Sequence, residues 1–169
     1  MSEATGAKPA RVPTLYEWVG GLEALERLTS HFYAVVPNDP TLAPVFASMP
    51  PDHAKHVALF FAEVLGGPTR YSSEVASDRG GHAHMVSHHL GRKLTQEQRR
   101  RWVELLLASA DAVGLPNDPE FRSAFVAYLE WGSRLAVINS AEGVAEPATA
   151  PMPKWGWGVP GGPYQGSDG

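Results

Sequence analysis

The chain of 169 residues contains no cysteine. That absence excludes disulfides, thiolate zinc sites, iron–sulfur clusters and a cysteine nucleophile, so any metal must be held by nitrogen or oxygen ligands. Positive charge is scarce as well. Fourteen Lys+Arg stand against eighteen Asp+Glu, a net charge of −4, which argues against a general nucleic-acid binder that needs a positive field over one face. No apolar run reaches the roughly 18 residues of a membrane span, and residues 1–11 lack the apolar stretch of a signal peptide. A soluble, cytoplasmic protein with no membrane partner is expected. With 43 % apolar and 19 % charged residues, disorder, collagen and coiled coil are poor fits, and the length favours one domain. One scarcity is positional: all seven histidines (His31, His53, His56, His82, His84, His88 and His89) lie between positions 31 and 89, and the last eighty residues have none.

What is present reads as helix. Thr14-x-x-Glu17 is a capping box opening a single turn that Gly20-Gly21 breaks. Leu22, Leu25, Leu28, Phe32 and Val35/Val36 recur at three- and four-residue steps, predicting a helix over 22–36 that Pro37 stops. Asp52 is the expected N-cap of a second helix over 53–65, with Val57, Phe60, Phe61 and Val64 on one stripe. Residues 69–81 read as loop, and a short helix carries the histidine cluster from 82 to 90 up to Gly91. A second capping box, Thr95-x-x-Gln98, opens a helix bearing Trp102, Leu105, Leu106, Ser109 and Val113. Asp118-Pro119 starts the last one, over 119–138. No stretch shows sustained strand alternation, so the fold class is all-α, five or six helices over residues 14–140. Residues 1–13 read as a flexible leader. Of the 29 residues from 141 to 169, 12 are Gly or Pro, which reads as a disordered tail. Within it Lys154-Trp155-Gly156-Trp157-Gly158 is either a partner-docking segment or part of a flexible tail that folds back on an apolar patch or does nothing.

Residues four apart on a helix share a face, which divides the cluster. His89 lines up with Met85, Val86 and His82 on an apolar stripe, whereas His88 lines up with His84 and Arg92 on a polar one. His84 and His88 also have the i, i+4 spacing of a helical zinc site, without the glutamate or third ligand of a catalytic one. A non-haem module in which His84, His88 and either His53 or His56 bind zinc or nickel is therefore the alternative reading. His53 shares its line with Val57, Phe60/Phe61 and Val64. An imidazole on an apolar face is ordinarily a core residue, yet an apolar slot with one imidazole and a few polar donors is also what a haem requires. Tyr33 and Trp102 each carry one donor toward such a slot. Periodicity alone does not choose between core packing and a cofactor. Arg92, Lys93, Arg99, Arg100 and Arg101 read as a solvated face or as a docking patch for an acidic partner.

The order of His31-Phe32-Tyr33, Pro44-Val45-Phe46, Gly66-Gly67-Pro68, Tyr71-Ser72, Gly81-His82, Met85-Val86-Ser87-His88-His89-Leu90-Gly91 and Arg101-Trp102 resembles a group II truncated haemoglobin over about residues 14–139. The resemblance implies a two-over-two helical sandwich, a truncated globin fold holding haem b (iron protoporphyrin IX). It implies His89 as the iron ligand, and Tyr33, Trp102 and His53 as distal residues that stabilise the bound diatomic. Phe32, Phe46, Val57, Phe60, Met85 and Leu94 would form the apolar wall, and Tyr71 and Arg92 would meet the propionates. The implied ligands are O2, NO, CO or peroxide. Oxygen binding or transport and NO or peroxide detoxification are the implied uses, the latter with an external reductase because the sequence has no Gly-rich dinucleotide fingerprint. A monomer or homodimer is expected.

Overall fold

The computed structural model describes residues 11–76, 81–145 and 152–158. Six α-helices occur among them: α1 (Leu15–Val19), α2 (Gly21–Val35), α3 (His53–Val64), α4 (Gly81–Ser87), α5 (Gln96–Ala112) and α6 (Pro119–Asn139). A 3-10 turn, Val36–Asn38, extends α2, and a π-helical turn spans Tyr71–Val75. No strand occurs among the described residues.

Both predicted capping boxes form. The Thr14 side chain accepts from Glu17 N at 3.0 Å, and that of Thr95 accepts from Gln98 N at 3.1 Å. Each satisfies an orphan amide at a helix start. Asp118 caps α6 through Phe121 N at 2.9 Å, one residue before the proline at the first helical position. Asp52 sits at the predicted start of α3 but makes no side-chain cap, its carboxylate lying 3.4 Å from His56 instead.

The apolar stripes meet in one core. α2 packs most heavily on α3, and α5 on α6 and α2. Leu25, Leu28, Phe32, Phe61, Leu106, Phe121, Phe125 and Leu129 are buried between them. The turn after α3 returns close to α1: a Cβ on Gly67 would lie 2.6 Å from the Tyr16 ring and 2.7 Å from the Ala62 carbonyl, so only glycine fits.

Two stretches depart from the sequence reading. Residues 71–75, expected as loop, form the π turn, closed by Ala76 N donating to Tyr71 O at 3.0 Å. The cause is distant in sequence: the buried Glu63 carboxylate accepts from Ser72 N at 3.0 Å and fixes the turn from α3. The histidine helix, expected to reach residue 90, ends at Ser87. His88 N and His89 N bond back only three residues, to Met85 O and Val86 O. The chain is then drawn away toward the end of α6, where Ser140 takes Lys93 N on its carbonyl and Leu94 N on its hydroxyl.

Residues 152–158 lie on the body. Trp155 N donates to the Val64 carbonyl at the end of α3 at 2.9 Å, and its indole N–H to the Ala124 carbonyl of α6 at 3.0 Å. The Trp157 indole donates to Pro13 O at 2.7 Å and packs edge-on against Trp18. Of the readings the sequence offers for this segment, folding back on the chain's own surface is the one its indoles adopt.

Candidate functional site

α2, α3, α5, α6 and the turn following α4 enclose a cavity of about 270 Å³. Tyr33, near the end of α2, and His53, the first residue of α3, line it together, with the Tyr33 hydroxyl 3.2 Å from His53 Nε2. Their rings meet edge to face at 4.9 Å, and Phe46 lies 5.5 Å from Tyr33 and 6.2 Å from His53.

Burial sets the protonation of this pair. It pushes the Tyr33 hydroxyl up, so the phenol remains neutral. It also lowers His53 to about 4, helped by the nearby His88, His56 and Arg92 and opposed by Asp52. His53 is therefore a neutral imidazole at pH 7, with a single ring N–H. When Nε2 carries that proton, His53 donates to Tyr33 and leaves the phenolic hydrogen available to a guest in the cavity; the other tautomer accepts from Tyr33.

The remaining sequence-predicted residues sort by position. Phe46, Val57, Phe60, Met85, Leu94 and Trp102 all line the cavity, as do His89, Tyr71 and Arg92. Phe32 does not. It is 0 % exposed and sits one layer behind, with Tyr33, Phe46 and Trp102 packed edge-on around it at 4.8, 6.3 and 6.5 Å. Consecutive helical residues point about 100° apart, so Tyr33 in the cavity turns Phe32 into the core. Tyr71 is buried against Phe60, its hydroxyl pushed up by burial and by the Glu63 carboxylate. Arg92 is exposed at the cavity rim, bound to the carbonyls of His88 and Val45.

His89 reaches the cavity from a turn, so the helical-face reading leads to a cavity-lining side chain through a helix that ends two residues before it. His88, expected to point to water, is exposed but also borders the cavity, its Nε2 3.1 Å from that of His84. Burial, then His84, Arg92 and His56, lower its pKa. Among the described residues no group of three or more His, Asp or Glu is placed to hold a metal ion. The basic run is dispersed: Lys93 pairs with Glu142, the buried Arg99 with Glu130, and Arg101 with Asp39 at 2.6 Å.

Sequence reasoning missed part of the lining. Tyr128, Trp131 and Gly132 of α6 border the cavity, with Pro153 from the C-terminal segment. Gly132 was the available signal, because a glycine inside a helix costs about 1 kcal/mol relative to alanine and no turn demands it there.

Residues 14–131 match the bacterial-like globin family. The chain is also 32 % identical over 127 residues to the group 2 truncated hemoglobin YjbI of Bacillus subtilis (strain 168), covering 75 % of this chain and 89 % of that protein. The chain belongs to the group II truncated haemoglobins. Its fold is theirs, the two-over-two sandwich. The crystal structure of the group II truncated hemoglobin from Bacillus anthracis superposes with a TM-score of 0.66 at 25 % identity, covering 76 % of this chain and 93 % of that one. The structure of a truncated oxygen-avid haemoglobin from Bacillus subtilis gives 0.63 at 30 % identity, covering 74 % and 99 %.

Membership implies a haem cofactor and small gas ligands, and the cavity suits that cofactor. Its lining is mainly apolar, with Tyr33, His53 and Tyr71 each bringing a neutral polar group to it. Arg92 at the rim suits a carboxylate. No described helix is long and apolar enough to cross a membrane.

Proposed function

We propose that this globin holds haem b through His89 and binds dioxygen reversibly, with Tyr33, His53 and Trp102 stabilising the bound ligand. Haem b supplies the iron centre at which a diatomic gas binds. The observation that carries this reading is the Tyr33–His53 pair: a neutral phenol and a neutral imidazole, 3.2 Å apart, on the wall of a mainly apolar cavity. A donor in such surroundings is desolvated in advance and costs little reorganisation when partial negative charge develops on a guest. The similarity to a truncated haemoglobin described as oxygen-avid supports the choice of dioxygen.

Each remaining residue has a role consistent with that reading. His89 presents an imidazole from a turn pinned on its far side by Ser140. Trp102 brings an indole N–H donor from α5, where Phe32 braces its ring. Phe46, Val57 and Met85 exclude water, and Arg92 and Tyr71 are the groups proposed to meet the propionates. Carbon monoxide and nitric oxide would occupy the same site. Turnover of nitric oxide or peroxide would need an external reductase.

The deciding experiment is the absorption spectrum of the purified protein, oxidised, reduced and with carbon monoxide. A Soret band that shifts with each state is expected. Absence of the band after hemin addition, or a His89→Ala protein with an unchanged axial-ligand spectrum, would overturn the reading.

A further inference from the structure

We infer that residues 152–158 form a wall of the haem cavity and control the entry of small apolar ligands through a gap at Gly132. This inference rests on the haem reading above and concerns a segment beyond the residues 14–131 that match the globin family.

The argument begins with α6. It borders the cavity from Tyr128 to Asn139, and at the Tyr128 end the aromatic side chains Tyr128 and Trp131 stand beside Gly132, which has no side chain. A Cβ at Gly132 would lie nearest the Tyr128 ring and hydroxyl, at 3.6 Å, an ordinary contact. Neither steric crowding nor backbone conformation therefore requires glycine here, although its presence weakens the helix. What glycine provides is space beside Tyr128.

The C-terminal segment packs on the two aromatic side chains that flank Gly132. Pro153 borders the cavity at this end. Trp155 anchors the segment, its ring 5.5 Å from Tyr128 and 5.6 Å from Trp131, with its two N–H groups on carbonyls of α3 and α6. Trp157 fixes the other end on Pro13 and Trp18, and Trp18 in turn bonds Asp118, the cap of α6. The cover is thus held by two indole N–H bonds, one backbone N–H bond and ring packing, with no ion pair among these contacts.

This end differs from the rim at Arg92. Trp131 stands nine residues before Ser140, the residue that binds the chain just after Arg92, which is roughly 13 Å along the helix. The Arg92 rim is basic and polar. The end at Gly132 is framed by Tyr128, Trp131 and Pro153, a frame suited to an uncharged diatomic.

Carbon monoxide association after flash photolysis of the full-length, haem-loaded protein tests the inference. Trp155→Ala should speed association by about fivefold or more, the change expected when about 1 kcal/mol is removed from an entry barrier. Gly132→Val, which fills the gap with the cover in place, should slow it by a similar factor. Hydrogen exchange at the Trp155 amide in the apoprotein supplies an independent readout and should show lost protection in Trp155→Ala. If that protection is lost and association is unchanged, the inference is wrong. If Trp155→Ala does not retain haem, Gly132→Val decides alone, and an unchanged rate there also overturns it. A wild-type protein that takes up no haem would overturn the functional reading itself, an outcome distinct from either.

Discussion

The two sides of the cavity are built differently. The side bearing Tyr33 and His53 stands on two long helices, α2 and α3, and its rings brace one another: Tyr33 touches Phe32, Phe46 and His53, and Phe32 touches Trp102 of α5. His89 instead follows the seven-residue α4 and lies in a turn secured by hydrogen bonds, two to the carbonyl and hydroxyl of Ser140 and one from the Arg92 guanidinium to the Val45 carbonyl. Side chains locked by packing hold a donor within a narrow range of positions, whereas a short helix gains little stability of its own. On the reading proposed above, the ligand side is therefore preorganised by tertiary packing, and the axial side would be completed by the cofactor. Damage to the first should change ligand kinetics, and damage to the second should change cofactor retention.

The largest expected effect is on the axial side. His89→Gly removes the imidazole from a turn whose backbone is anchored elsewhere, so the fold should persist while haem affinity collapses, and added imidazole should restore the wild-type Soret band. A variant that keeps the native axial spectrum without imidazole would show that His89 is not the ligand. Next comes Phe32→Ala. Removing a fully buried ring from the brace should destabilise the apoprotein by about 3–5 kcal/mol in urea unfolding. A loss below about 1 kcal/mol would mean that the ligand side is not held by packing.

Tyr33→Phe is a subtler break, since the ring and its contacts stay and only the hydroxyl goes. With a hydrogen bond worth on the order of 1 kcal/mol net, oxygen should escape about five- to tenfold faster, as read by stopped-flow release. Trp102→Phe should act in the same direction and the double variant more than either. Unchanged release in both single variants would remove these donors from the ligand network.

These differences also explain what was legible in the sequence. The helices were readable because their starts are written locally: Thr14 with Glu17, Thr95 with Gln98, and Asp118 before Pro119. The cavity-lining side chains Tyr33, His53, His89 and Trp102 were named from their helical faces, and their expected roles came with the order of motifs along the chain. What escaped depends on contacts distant in sequence. The π turn at Tyr71 needs the carboxylate of Glu63, the early end of α4 needs Ser140, and the cover at Trp155 needs Val64 and Ala124. Phe32 escaped for a different reason. An apolar stripe is about two residues wide, so periodicity does not tell the residue that faces a cavity from its neighbour that faces the core.

The smallest expected effect separates burial from bonding on the ligand side. Burial, with His88, His56 and Arg92 nearby, holds folded His53 at about 4, against an ordinary 6.5. Between those values the unfolded chain binds a proton that the folded chain does not, so stability falls as pH drops from 6.5 toward 4. One such group contributes a slope of at most about 1.4 kcal/mol per pH unit, and less for a half-exposed side chain whose charge water partly screens. His88 is lowered too and adds to the same slope. His53→Leu should therefore flatten the acid limb of apoprotein stability without abolishing it, leaving the share due to His88. Urea midpoints between pH 7 and 4.5 measure this. An acid limb of unchanged steepness would show that His53 takes up its proton in the folded state as readily as in the unfolded one, and that its 3.2 Å bond to Tyr33 does not depend on a neutral ring.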